Sequence, residues 1–226
     1  MSRILAVGSK ESLSRLNENH SNIVPLELIR FEAVPISLPE IGFDWIFFGS
    51  SRGVRFFLDT VSRELLRGIQ IGCVGERTAE TARKGGLEVK FVPSRYSSTY
   101  WPGEFLAQFP NARGILFPTS DRSTFQPPAS FAKKGIFFKK LVVYRTLCAD
   151  NVLPAGEFRG VVFASPSCFS CFVEKWGKGI LLDKTLVAIG DVTEKTIVKA
   201  GLSCSVPPRF TMADAVRYCQ KKLENS

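Results

Sequence analysis

The chain has 226 residues, 45% of them hydrophobic and 23% charged, with a formal charge of +9 from 30 basic against 21 acidic residues. No apolar run approaches the roughly 20 residues that cross a bilayer, and the opening MSRILAVGSK lacks the apolar core of a secretory signal, so a cytoplasmic protein with no membrane partner is expected. The basic residues are dispersed, with Lys133-Lys134, Lys139-Lys140 and Lys221-Lys222 only paired, which argues against nucleic acid and for ordinary surface or a small polyanionic ligand.

In chain order, residues 3–8 (RILAVG) read as a buried strand, Ser9 as a cap and residues 10–19 as a short polar helix. Residues 23–38 run extended, and Pro25, Pro35 and Pro39 forbid a helix and restrict any strand to an edge or a crossing. Then follow strand WIFFGS at 45–50, helix 54–66, strand 70–75, helix 76–84 ended by Gly85-Gly86, and strand 87–92 closed by Pro93. Residues 100–109 are weakly helical, 114–118 (GILFP) a strand and 123–134 a helix whose start is blurred by Pro127-Pro128. A second long extended run covers 137–149. Beyond it come strand 161–165, helix 168–176, strand 186–190, helix 193–200, strand 202–206 and a last helix at 213–224. Alternation of this kind implies α/β architecture with parallel sheets covered on both faces.

Much of this layout occurs twice. Residues 48–93 slide forward by 115 positions onto 163–208 without a gap, laying Ser50 on Ser165, Phe57 on Phe172, Gly75 on Gly190, Thr78 on Thr193 and Pro93 on Pro208. RILAVGS at Arg3 likewise resembles GILFPTS at Gly114, 111 positions on. Two copies are too few for a solenoid or propeller and read as two related lobes. Tandem lobes would divide near Ala112. Alternatively the chain leaves the first lobe near Glu32, builds the second and returns near Thr146, with residues 31–38 pairing with 142–149. Both divisions are compatible with the sequence.

Six cysteines stand at 73, 148, 168, 171, 204 and 219. Four lie in apolar periodic segments, so no disulfide framework is expected, and Cys168-x-x-Cys171 lacks the second pair of a metal site. The only histidine is His20, which leaves no Ser-His-Asp arrangement. No G-x-G-x-x-G or phosphate-binding loop is present. Three turns instead place hydroxyls where a strand passes into a helix: Gly49-Ser50-Ser51, Thr119-Ser120 and Ser165-Pro166-Ser167. Such edges bind ligands in doubly wound sheets, although plain helix capping uses the same residues.

The segments DWIFFGSSRGV at Asp44, VGERTAETARKGG at Val74, LFPTSDRS at Leu116, VVYRT at Val142, VVFASPS at Val161 and VAIGDVTEKTIVKAG at Val187 together resemble the uroporphyrinogen-III synthase family, in the family's order and over nearly the whole chain. The resemblance implies a cofactor-independent, cyclising hydro-lyase of tetrapyrrole (haem) biosynthesis. Its small-molecule substrate is hydroxymethylbilane, which it closes to uroporphyrinogen III with inversion of ring D and loss of water, and a monomer with no metal is expected. It further implies two flavodoxin-like parallel-sheet lobes joined by two extended strands, with a cleft between them. Lobe one would be 1–34 plus 148–226, lobe two 39–142, and the interlobe strands 35–38 and 143–147.

Carried over residue by residue, the resemblance makes Tyr144 the catalytic candidate, assisting departure of the substrate's hydroxyl. Ser50, Thr78, Ser165 and Thr193 become substrate-binding candidates, with Thr119, Ser120, Arg122 and Ser167 as carboxylate contacts. Arg52 in the SSRG turn and Gly75 and Gly190 at strand ends complete the set. Gly49 stands where the family commonly has threonine, and Pro127-Pro128 is unusual for it. The competing reading is a two-lobed small-anion-binding protein without catalysis.

Overall fold

The computed structural model describes residues 2–14, 16, 22–39, 42–94, 101–123 and 125–225. In chain order the elements are β1 (Ile4–Ser9), α1 (Lys10–Leu13), β2 (Ile23–Ala33), β3 (Trp45–Phe48), α2 (Ser51–Thr60), β4 (Gln70–Cys73), α3 (Glu76–Lys84), β5 (Val89–Phe91), α4 (Trp101–Gln108), β6 (Gly114–Ser120), α5 (Ala129–Lys133), β7 (Phe137–Cys148), β8 (Gly160–Phe163), α6 (Pro166–Trp176), β9 (Thr185–Ala188), α7 (Asp191–Lys199) and α8 (Met212–Glu224). This is a mixed α/β fold with nine strands among the described residues. All neighbours whose register is defined are parallel.

Contacts group the chain into two units, Met1–Arg30 with Leu147–Ser226, and Phe31–Thr146. Neither boundary falls near Ala112. In the first unit the strands run β2-β1-β8-β9, and Ser205 adds an isolated parallel bridge to Val187 at the outer edge. The second unit fills the corresponding places with β7-β6-β3-β4-β5. Chain order differs because β3, β4 and β5 precede β6 in the second unit, whereas their counterparts follow β1 in the first.

The strand registers carry the duplication. Ile4 faces Gly160 and Leu5 faces Val161, while Ile115 faces Trp45 and Leu116 faces Ile46, the same pairs displaced by the two sequence offsets. Trp45 opposite Gln70 likewise becomes Gly160 opposite Thr185. Even an irregularity is shared: the register slips after Gly8, pairing Ser9 with Ile29, and after Thr119, pairing Ser120 with Tyr144. Tyr144 therefore occupies in its unit the place of Ile29 in the other.

Strand β3 shows why both faces of the second unit are covered. All four of its residues, WIFF, are buried rather than alternating, the pattern of a strand sandwiched between helices. Ile46 and Phe48 point into a cluster with Val54 and Phe57 of α2 and Ala79 and Ala82 of α3. Trp45 and Phe47 point the other way, against Trp101 and Phe105 of α4. In the first unit Ile4, Ala6, Val162 and Val187 pack on Met212, Ala215, Val216 and Cys219 of α8.

Several expectations are corrected. The helix expected over 123–134 is only α5, because Pro128 is its cap and prolines cannot supply interior N–H groups. The helix expected over 10–19 ends at Leu13, and residues 17–19, like His20, lie outside the described residues. Residues 202–206 form no strand, only the bridge at Ser205. β2 stops at Ala33, two residues before Pro35. Within the second unit Val34 N–H donates to Val143 O (3.1 Å), and within the first Ala149 N–H donates to Leu28 O (2.8 Å).

The cysteine expectation is overturned as well. Cys148 and Cys171 form a disulfide with Cα atoms 5.5 Å apart, so Cys171 pairs outside the C-x-x-C and ties the end of β7 to α6. Lys175 of α6 donates to Ala149 O (2.9 Å), one residue past the end of β7.

Candidate active site

In each unit the parallel strands bring their carboxyl ends to one edge of the sheet, where the next helix begins. In the second unit β3 leads through Gly49 to Ser50, which caps α2 by accepting from Gly53 N–H at 3.1 Å. Gly49 has a physical reason here: a Cβ would come 2.7 Å from Phe117 Cζ, so the Phe117 ring fills the space that a side chain at 49 would need. β4 leads to Gly75, the N-cap of α3, with Thr78 in the first turn. Gly75 and Gly190 have extended φ of −164° and −173°, which any residue adopts, so conformational freedom does not explain these glycines.

β6 ends at Thr119 and Ser120, followed by a turn in which Arg122 is exposed. Asp121 then latches the neighbouring strand: its N–H donates to Tyr144 O (3.2 Å), and its carboxylate accepts from Thr146 N–H (3.1 Å). The Tyr144 ring is held on two sides, stacked on Phe56 at 5.0 Å and edge-on to Phe31 at 5.8 Å. The Arg52 guanidinium lies 3.6 Å from the centre of the Phe31 ring, a cation–π contact that anchors a positive charge in this cluster.

The first unit repeats the pattern. β8 leads to Ser165, whose Oγ accepts from Cys168 N–H at 3.2 Å, with Pro166 at the first helical position and Ser167 after it. β9 leads to Gly190, the N-cap of α7, with Thr193 in the first turn.

Four candidate hydroxyls share one property. Thr78, Thr119, Tyr144 and Thr193 are each at most 8% exposed, yet their hydroxyls make no hydrogen bond among the described residues. They are also not sealed in, because the only fully enclosed, unpartnered side-chain polar atom among the described residues is Trp101 Nε1. A hydroxyl whose residue is buried but whose tip stays reachable is satisfied by water or by a ligand. Ser50 and Ser165 differ, since both are already engaged as caps.

Charge grades the four helix N-termini. The first turns of α2 and α6 carry no acidic residue, whereas α3 carries Glu76 and α7 carries Asp191 and Glu194. Carboxylate or phosphate groups are therefore best received at α2 and α6, where the dipole is unopposed. Burial pushes the Cys73 thiol at the end of β4 up to about 12, so it supplies no thiolate at neutral pH. Among the described residues no group of three or more His, Cys, Asp or Glu is placed to hold a metal ion.

A model of the family described as uroporphyrinogen-III synthase HemD matches residues 14–217. The chain belongs to the uroporphyrinogen-III synthase family. The uroporphyrinogen-III synthase of Chlorobaculum parvum is 26% identical over 183 residues, 74% of each chain. The crystal structure of uroporphyrinogen-III synthetase from Helicobacter pylori shares the fold with a TM-score of 0.72 at 18% identity, covering 98% of this chain and 100% of that one. A mutant uroporphyrinogen III synthase from Thermus thermophilus shares it with a TM-score of 0.62 at 19% identity, each chain fully covered.

In this uroporphyrinogen-III synthase family member Ser50, Arg52, Gly75, Thr78, Thr119, Ser120, Arg122 and Tyr144 gather at the edge of one unit. Ser165, Ser167, Gly190 and Thr193 gather at the edge of the other. Sequence reasoning missed three contributors to the Tyr144 setting: Phe31, Phe56 and Asp121. Asp121 was within reach, since it directly follows Thr119-Ser120 in a motif already singled out, but its partner 25 positions on is visible only once β6 and β7 pair. Thr146 was also missed: it is buried, and its hydroxyl too has no partner among the described residues.

Proposed function

We propose that this chain closes hydroxymethylbilane to uroporphyrinogen III with inversion of ring D and loss of water, as a step of tetrapyrrole biosynthesis, and that it does so as a monomer without a cofactor. The observation that carries the reading, beside family membership, is the set of reachable hydroxyls at the sheet edges that no described residue engages. A linear tetrapyrrole with eight carboxylates needs many hydrogen-bond donors and one group that assists the leaving hydroxyl. The proposal takes the two units as the family's two lobes, with the chain passing from one to the other at Arg30–Phe31 and back at Thr146–Leu147.

The Tyr144 hydroxyl donates a proton to the substrate's hydroxymethyl oxygen as that C–O bond breaks, and water departs. The resulting azafulvene is electrophilic. The substituted carbon of ring D attacks it to give a spiro intermediate, which reopens and recloses with ring D inverted. The proton then lost from the ring carbon returns to the tyrosinate, so the net change is loss of one water. Ser50, Arg52, Gly75, Thr78, Thr119, Ser120 and Arg122 in one unit, and Ser165, Ser167, Gly190 and Thr193 in the other, supply carboxylate contacts through side chains and backbone N–H groups. Because uncatalysed closure leads to the unflipped isomer, most of the catalysis is positioning of the rings for the more crowded attack.

Binding that rests on charge is screened by salt. The Michaelis constant for hydroxymethylbilane is expected to rise several-fold as ionic strength increases from about 0.01 M to 1 M, where the Debye length falls from about 30 Å to 3 Å. A constant unchanged over that range would make the charge of +9 incidental. The reaction itself is tested by the isomer formed from hydroxymethylbilane.

A further inference from the structure

We propose that Phe210 is a substrate-positioning residue, its exposed ring serving as the plate on which one pyrrole ring of the substrate lies at the edge of the first unit. The proposal rests on the reaction assigned above and extends it to a residue outside the hydroxyl and glycine set. Among the described residues two phenylalanines are exposed, Phe137 (48%) and Phe210 (60%). Phe137 begins β7, at the amino end of a strand and away from the carboxyl edge. Phe210 stands at that edge: its ring atoms lie 3.4 to 3.6 Å from where a Cβ at Gly190 would be, so the ring rests on the N-cap of α7.

Two further observations point from that ring to a ligand. Thr193, in the first turn of the same helix, is 3% exposed and its hydroxyl has no partner among the described residues. Val192 between them is 70% exposed, which extends the apolar surface beside the donor. A pyrrole bearing carboxylate arms presents an apolar π-face and charged edges, and an exposed ring next to N–H and hydroxyl donors matches both. The glycine at 190 acquires a role as well, since a larger side chain there would push the ring aside.

Phe210 also precedes Thr211, the cap of α8, which accepts from Asp214 N–H at 3.1 Å. An apolar residue in that place commonly staples the helix start, so the test must separate stapling from substrate contact. Phe210→Leu keeps apolar bulk, Phe210→Tyr keeps the ring and Phe210→Ala keeps neither. Substrate contact predicts that Ala and Leu raise the Michaelis constant about three- to tenfold, the size of a lost aromatic pair. It also predicts that they release a larger share of the unflipped isomer, while Tyr stays near wild type and the thermal unfolding midpoint of all three is little changed. A Leu variant with wild-type kinetics and isomer ratio overturns the proposal, whatever its stability. A wild-type protein that forms no inverted isomer would instead overturn the functional reading beneath it.

Discussion

Tyr144→Phe is expected to fold like the wild type and to lower turnover by about 10²- to 10⁴-fold, the range of general-acid assistance. The fold should persist because what the structure uses of Tyr144 is its ring, stacked on Phe56 and edge-on to Phe31, and phenylalanine keeps that ring. What is removed is a hydroxyl that no described residue engages, so the variant orphans no internal partner. A neutral binding hydrogen bond contributes only about 0.5 to 1.5 kcal/mol, roughly tenfold, and the size of the effect therefore separates the roles. Single-turnover formation of the type III isomer, with circular dichroism to verify folding, is the measurement. A rate within about threefold of wild type, well short of the acid-catalysis range, would leave Tyr144 a packing residue and the chemistry to positioning alone.

Cys148→Ser is expected to lower stability by about 3 kcal/mol under non-reducing conditions, the chain-entropy value for the loop of 23 positions that the bond closes. Cys148 is the gentler choice because Cys171 is fully buried. Urea unfolding of wild type and variant, each with and without a dithiol reductant, makes the comparison. The oxidised wild type should stand apart and the three other samples should nearly coincide. Equal midpoints for oxidised and reduced wild type would show that the bond contributes nothing to stability. Two of the remaining buried thiols are poor competitors for exchange, since burial pushes Cys219, like Cys73, up to about 12.

What was legible in the sequence was what repeats locally. The offset of 115 that lays Ser50 on Ser165 reappears as strand register, and the α/β alternation gave α3 its bounds, Glu76 to Lys84, to the residue. The candidate site was legible as turn chemistry, because a hydroxyl or glycine at the end of a strand announces an N-cap whatever it later binds. The remainder depended on pairings across long sequence distances. The Cys148–Cys171 bond joins the end of β7 to α6, and the nearer Cys168 was a decoy, engaged instead with Ser165. The Asp121 latch on Tyr144 and Thr146 requires β6 and β7 to be neighbours. Phe210 sits in an irregular stretch between Pro208 and the cap of α8, where neither periodicity nor turn signals say which way a ring faces.

The isomer formed from hydroxymethylbilane tests the assigned reaction most directly. Purified protein is supplied with hydroxymethylbilane, the product is oxidised and the uroporphyrin isomers are separated chromatographically, beside a protein-free control that closes spontaneously to the unflipped type I. The account predicts that the type III isomer dominates with protein and is absent without it. Type I alone in both samples, from protein that nevertheless binds hydroxymethylbilane saturably, would contradict it and leave a binding protein without catalysis.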